Sequence, residues 1–265
     1  MEGLSIIGPF GDTALLLGLS VTRVAMALLL VPLFTADLIP AMVRNAMFMA
    51  IALLALLLQP SAAPLQLSAG QLAGLFGKEA FIGAAIGFFF AGVMWAFEAA
   101  GQVIDNKVGS AQAQLSDPFS GHTTTLTGAF LARLASLVFM SSGGFMILVG
   151  TVVESYALWP VRSPMPTLAQ AGAQLFEAEF GRIMLMTLVI AAPALILMYL
   201  IDGTLGLINR FAPSLNVQSV SMSLKGVAAV WILWMQVTAL VEMLQGDLLL
   251  RGETAMRTLR LLLGG

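Results

Sequence analysis

The chain has 265 residues, 59% of them hydrophobic and only 10% charged, with a mean hydropathy of +0.95. Soluble domains carry about 25% charged residues, so this composition belongs to an integral membrane protein. A formal net charge of -2 without a charge block excludes a nucleic-acid footprint and a polybasic lipid anchor, which leaves apolar surfaces and membrane lipids as partners. The absence of cysteine excludes a disulfide framework, thiol catalysis and a cysteine-based zinc site.

The first thirteen residues, MEGLSIIGPFGDT, carry Glu2 and Asp12 and no basic residue. They lack the positive n-region of a cleaved signal peptide, and the first apolar run is expected to be retained. Six apolar segments follow, Thr13–Phe34, Ala41–Leu58, Ala80–Ala100, Thr127–Val153, Ile183–Ile201 and Gly226–Leu244. Each is close to the ~20 residues a helix needs to cross a hydrocarbon core. The fold class read from this pattern is an all-α membrane protein of about six long apolar helices, several of them broken or kinked.

Arg23 lies near the middle of the first segment. A central arginine costs roughly 2.5–3.5 kcal/mol on the insertion scale, an amount the surrounding apolar residues offset at roughly 0.3–0.6 each. Arg23 is therefore expected to face protein or water rather than lipid. Pro32 breaks the helix into a turn ending at Pro40, and Arg44 opens a second run rich in methionine. A Pro/Ser/Ala loop over 59–71 leads to Lys78 and Glu79. Gly70, Gly74, Gly83 and Gly87 form two small-xxx-small pairs that let helix backbones approach closely.

Ala99 to Leu126 is a polar, small-residue interval between two apolar runs. Glu98, Gln102, Asp105 or Asn106, Gly109 and Gln112 recur at steps of three and four, which places them on one face of a continuing helix. That helix is expected to end at Asp117-Pro118, because the residue before proline is disfavoured in the helical region. Thr123 to Thr127 offers several N-caps for the next helix. Arg133 stands near the start of that helix, and Ser141 to Gly144 predicts a kink or a very close helix contact. Glu154, Trp159, Pro160 and Arg162 mark an interfacial exit.

Residues 164–182 are the most soluble-looking connection and the expected domain boundary, with a short amphipathic helix over Gln170 to Phe180. The fifth run is kinked at Pro193. A second polar interval, Asp202 to Lys225, joins it to the sixth. With six alternating helices, one side receives Lys78, Arg162, Arg182, Arg251, Arg257 and Arg260, and the other Arg44, Lys107, Arg133, Arg210 and Lys225. So even a distribution gives no positive-inside bias, and some runs are expected not to be ordinary lipid-facing spans.

Catalytic chemistry finds little support. His122 is the only histidine, so no His-based metal pair and no Ser-His-Asp triad can be assembled, and no P-loop or dinucleotide fingerprint is present. No catalytic, cofactor-binding or metal-binding residue is assigned, and no enzymatic activity is expected. Glu98, Asp105 and Asp202 leave open a stand-alone proton- or cation-coupled secondary transporter. The first polar interval fits a re-entrant loop or pore plug, since non-helical backbone at membrane depth is tolerated only inside protein or beside a water-filled cavity. A plain extramembrane loop fits it as well.

The order of several short motifs adds to this reading. They are Arg23 with Pro32, Ile39-Pro40 and Val43-Arg44; Ala100-Gly101 with Gly109 and Asp117-Pro118; Ser155-Tyr156 with Trp159-Pro160; and Asn209-Arg210 with Ala212-Pro213, Leu215-Asn216 and Leu224-Lys225. On these the chain resembles, over nearly its whole length, the export-gate subunit family shared by bacterial type III secretion systems and flagella. Asp105 in GQVID, SYALWP and NRFAPSLN are more similar to the injectisome T subunit than to the flagellar R subunit.

The resemblance implies a structural and gating subunit of a helical export gate in the bacterial cytoplasmic (inner) membrane, partly raised above the bilayer in the assembly. Its implied partners are several R and S subunits, the switch (U) subunit, and unfolded secreted proteins in transit. Residues 1–165 would be an R-subunit-like part carrying a plug loop, and 166–265 an S-subunit-like helical hairpin and tail. The implied plug residues are Gly109, Gln112, Leu115, Asp117 and Pro118, entered by the polar stripe Glu98, Gln102 and Asp105. The implied subunit contacts are Arg23, Arg44, Arg133, Arg210, Pro213, Asn216 and Lys225. The flagellar pattern has aromatic residues where Gln112 and Leu115 stand here.

Overall fold

The structure, a computed structural model, describes residues 9–34, 39–57, 68–109, 115–116, 123–163, 170–212 and 217–262. Seven helices run in order: α1 (Pro9–Leu29), α2 (Ala41–Leu57), α3 (Ala69–Val108), α4 (Leu126–Ser141), α5 (Gly144–Leu158), α6 (Gln170–Phe211) and α7 (Val217–Leu262). The only strands among the described residues are β1 (Leu115–Ser116) and β2 (Thr123–Thr124), an antiparallel ladder between α3 and α4. The expected all-α membrane architecture is observed. Gly11–Leu29, Ala69–Val108, Ala173–Phe211 and Val217–Leu248 are long and apolar enough to cross a membrane, and α4 with α5 makes a fifth if that bent pair is one span.

Several boundaries differ from the expected segments. Helix α3 begins eleven residues before Ala80 and has 40 residues, about 60 Å at 1.5 Å per residue, because Gly70 and Gly74 are tolerated within a helix that packing stabilises further along. It closes at Val108 rather than at Asp117-Pro118. Gly109 takes the left-handed conformation (φ 88°), and its N–H bonds back to the carbonyls of Asp105 (3.2 Å) and Asn106 (3.3 Å). A left-handed glycine ends a helix without the Cβ penalty other residues incur.

The predicted kink is present. Helices α4 and α5 meet at 69°, with Gly143 also left-handed (φ 79°). The amphipathic stretch expected over Gln170–Phe180 is the opening of the 42-residue α6, which passes Pro193 without interruption.

The chain divides into two compact units, each drawn from separate segments. The first comprises Met1–Ala91, Gly143–Ala178 and Leu249–Gly265, and the second Gly92–Ser142 and Glu179–Leu248. In the first unit, α1 and α3 meet backbone to backbone. A Cβ at Gly83 would press on the Arg23 carbonyl oxygen, and one at Gly87 would lie 2.6 Å from the Ala27 carbonyl oxygen. Gly70 and Gly74 face open space, so only the second glycine pair makes the close helix approach that spacing allows.

The same unit buries an ionic cluster. The Arg23 guanidinium, fully buried, donates from Nε to Glu79 Oε2 (2.7 Å) and from Nη2 to Glu79 Oε1 (2.9 Å). It also donates to Ser155 Oγ (3.0 Å) and to the Trp159 carbonyl (2.9 Å), and lies 4.0 Å from the centre of the Tyr156 ring. Lys78 donates to the carbonyls of Pro160, Val161 and Ser163 at 2.8–3.0 Å and pairs with Glu79 at 3.0 Å. Four of the five guanidinium protons are thereby engaged, which is how a mid-helix arginine is accommodated away from water. The cluster also ties the exit of α5 to α1 and α3.

In the second unit the buried side chains of α3 (Phe97, Ala100, Ile104), α4 (Leu131, Ala135, Val138) and α6 (Ile183, Ile190) form the core. Thr187 on α6 donates to the Ala96 carbonyl at 3.4 Å and to its own helix at Ile183 (3.0 Å).

Candidate functional site at the end of helix α3

The second unit gathers the polar residues of both intervals around the last turns of α3. Asp105 is buried and points at the first turn of α4. Its carboxylate accepts from the Thr127 backbone N–H (2.7 Å) and from Thr127 Oγ1 (2.5 Å). A carboxylate at a helix N-terminus satisfies orphan N–H groups and lies at the positive end of the helix dipole. Thr125, the N-cap of α4, adds its own bond by accepting from Gly128 N at 3.4 Å.

The two helices touch at this point. A Cβ at Gly101 would lie 2.5 Å from the Cα of Gly128, and one at Gly128 would lie 3.1 Å from Gln102 Cγ and 3.3 Å from the Glu98 carbonyl oxygen. The segment leaving α3 at Gly109 and re-entering at Thr125 is therefore held at both ends by one clamp. Inside it, Leu115 pairs with Thr124 and Ser116 with Thr123, so the chain turns back on itself.

The polar stripe has structural partners. Gln102 donates to Glu98 Oε1 at 3.2 Å, Asp105 grips Thr127, and Asn106 is exposed. Gly109 is exposed and left-handed beside Met222. Gln112, Asp117 and Pro118, like His122, lie outside the described residues, as do Pro213 and Asn216.

The second interval contributes Asp202 and Lys225. Asp202 pairs with Lys107 at 2.8 Å and with Lys225 at 2.9 Å, and accepts from Ser221 at 3.3 Å. Lys225 also donates to the Lys107 carbonyl at 3.4 Å, and the Lys107 ammonium lies 4.1 Å from the centre of the Tyr199 ring. This network attaches α6 and α7 to the last turn of α3.

The expected contact residues separate into three kinds. Arg23 spends its guanidinium on its own chain, where Glu79 of α3 offers a bidentate acceptor. Arg44 is half-buried and donates to the Phe34 carbonyl (3.0 Å), closing the turn between α1 and α2. Arg133 and Arg210 are exposed on α4 and at the end of α6. Sequence reasoning missed Thr127 as the partner of Asp105, the pairing of Gly101 with Gly128, and the pairing of Lys107 with Asp202. Threonine at the first turn of a helix is a cap signal, but nothing in the spacing says which acid, 22 residues earlier, reaches it.

The three carboxylates a coupled transporter would need are committed: Glu98 to Gln102, Asp105 to Thr127, and Asp202 to two lysines. Among the described residues, each carboxylate that the transporter reading invokes has a partner within the chain.

Comparison with known proteins agrees with this. The chain is 39% identical over 165 residues to Yop proteins translocation protein T of Yersinia pestis, covering 62% of this chain and 63% of that protein. It is 30% identical over 219 residues to surface presentation of antigens protein SpaR of Salmonella typhimurium, covering 81% and 80%. With flagellar biosynthetic protein FliR of Bacillus subtilis the identity is 28% over 149 residues, covering 56% and 58%. The matched part thus spans about 63% of the length of the first of these relatives. The profile of "Bacterial export proteins, family 1" matches residues 14–249, and on that match, with the helical architecture above, the chain belongs to the bacterial export protein family 1.

Proposed function

We propose that this chain is a structural and gating subunit of a type III protein secretion export gate, forming part of the channel that passes unfolded polypeptides across the bacterial inner membrane. The observation that carries the reading is the clamp at the end of α3. Asp105 on Thr127 and Gly101 on Gly128 join the two helices on either side of one polar segment. A helix pair joined in this way suits the frame of a plug, because the pair can stay intact while the segment between its ends opens and closes.

In this reading Gly109, Gln112, Leu115, Asp117 and Pro118 belong to the plug, with Glu98, Gln102 and Asp105 supporting it. Arg133 and Arg210, exposed on two helices, with Arg44, Pro213, Asn216 and Lys225, serve contacts with R and S subunits and the switch subunit, while Arg23 supports the core of the chain. Residues 1–165 correspond to an R-like part and 166–265 to an S-like hairpin and tail. The higher identity to the translocation protein than to the flagellar one supports the injectisome branch.

Native mass spectrometry of the tagged chain, co-expressed with its neighbouring secretion genes, tests the assignment. A complex holding one copy of this chain with several copies of smaller membrane subunits is expected. Recovery of the chain always alone, under conditions where the neighbours are produced, would contradict it.

A further inference from the structure

Helix α7 continues fourteen residues past its apolar stretch, which ends at Leu248. One face of this extension packs into the first unit. Arg251 is buried and donates to the Phe89 carbonyl at 2.6 Å, and Ala255 and Met256 are buried. Gly252 lets the helix approach α5 so closely that a Cβ there would lie 2.9 Å from Ile147 Cγ2. Away from that contact the two helices leave a cleft of about 530 Å³, within the range of small-molecule sites.

The cleft has an apolar floor and a charged mouth. Ile147 and Met256 line it, and Gly150 keeps it open, since no heavy atom lies within 4 Å of where its Cβ would stand. Arg257 and Arg260, three residues apart and so on one helix face, border it with Thr151 and Glu154. Glu154 meets Arg260 at only 3.8 Å, with both side chains more than half exposed. Such a pair is weak, and among the described residues at the mouth two arginines face one carboxylate, a net positive balance.

We infer that this cleft binds the phosphate-bearing headgroup of an acidic membrane lipid. Guanidinium groups bind phosphate oxygens in a bidentate fork, and the apolar floor suits the start of an acyl chain. A charged segment following directly on a membrane-length apolar helix stands at headgroup depth, where basic residues attract anionic lipid. The same chemistry would accept free inorganic phosphate, so the test separates the two sources.

The test uses the full chain in a neutral detergent, with phosphatidylglycerol, phosphatidylcholine or inorganic phosphate added and retention read by native mass spectrometry. Phosphatidylglycerol should be retained over phosphatidylcholine by at least about fivefold, the worth of one basic residue near an anionic surface. Arg257→Gln with Arg260→Gln should abolish the preference, Gly150→Phe should block the cleft, and Glu154→Gln, which removes the competing carboxylate, should raise retention. Equal preference in the wild type and the double arginine variant would overturn the inference, and so would no gain in Glu154→Gln. Displacement of phosphatidylglycerol by an equal concentration of inorganic phosphate would overturn the lipid assignment in favour of a free anion.

Discussion

The carboxylate of Asp105 holds both the backbone N–H and the hydroxyl of Thr127, 22 residues further along the chain. One side chain thus closes the interval between α3 and α4 and caps the second helix. Replacing Asp105 by Ala removes both acceptors and orphans a partly buried N–H. Hydrogen bonds to charged groups are worth about 1.5–3 kcal/mol each, so Asp105→Ala should lower the thermal unfolding midpoint clearly, Thr127→Val less, and the double variant by less than the sum. Additive effects in this cycle, followed by circular dichroism in detergent, would show that the two residues do not act together.

Gly101 and Gly128 predict a contrast between glycines. Gly101→Ala places a methyl 2.5 Å from the Gly128 backbone, an overpacking that costs about 1–3 kcal/mol. Gly203, on α6 with open space around it, should accept Ala without loss, and gains up to about 1 kcal/mol of helix propensity. Equal melting behaviour of the two variants would contradict the close approach of α3 and α4.

Arg23 and Glu79 form a buried pair. Truncating one partner leaves an uncompensated charge, at about 3–5 kcal/mol. Arg23→Met should therefore depress expression and thermal stability strongly. Arg23→Met with Glu79→Met should not recover fully, because Lys78 then loses the carboxylate it pairs with among the described residues. Full recovery would show that Lys78 is satisfied by the carbonyls of the α5 exit alone.

The fold was readable in the sequence where apolar runs and breakers coincide. Ser141–Gly144 marked the bend between α4 and α5 by composition alone, and Thr123–Thr127 marked the cap of α4. The end of α3 departs from the sequence expectation: Asp117-Pro118 is the stronger sequence breaker, yet Gly109 closes the helix eight residues sooner once Asp105 is committed to α4. The candidate site was legible as a polar stripe and not as a clamp. Periodicity places Glu98, Gln102 and Asp105 on one face, but the partners Thr127 and Gly128, and the pairing of Asp202 with Lys107 and Lys225, depend on which helices pack together. The apolar run around Arg23 signals that it faces protein or water, and it is buried in protein, but its partner lies 56 residues away on α3, beyond any local pattern.

The network of Asp202 with Lys107 and Lys225 should act as an attachment more than as a source of stability. Its side chains are 12–32% exposed, and pairs of that kind contribute about 1 kcal/mol or less each. Asp202→Asn should shift the unfolding midpoint only slightly, while increasing hydrogen exchange over the last turn of α3. Unchanged exchange there would remove the attachment role.

The most direct test of a gating segment is ion leakage through the assembled complex with residues 109–116 deleted, compared with Asp105→Ala. The complex should still form, and membranes containing it should conduct small ions that the wild type retains, with Asp105→Ala giving an intermediate leak. A deletion complex that assembles with its partners and stays as tight as the wild type would contradict the assignment.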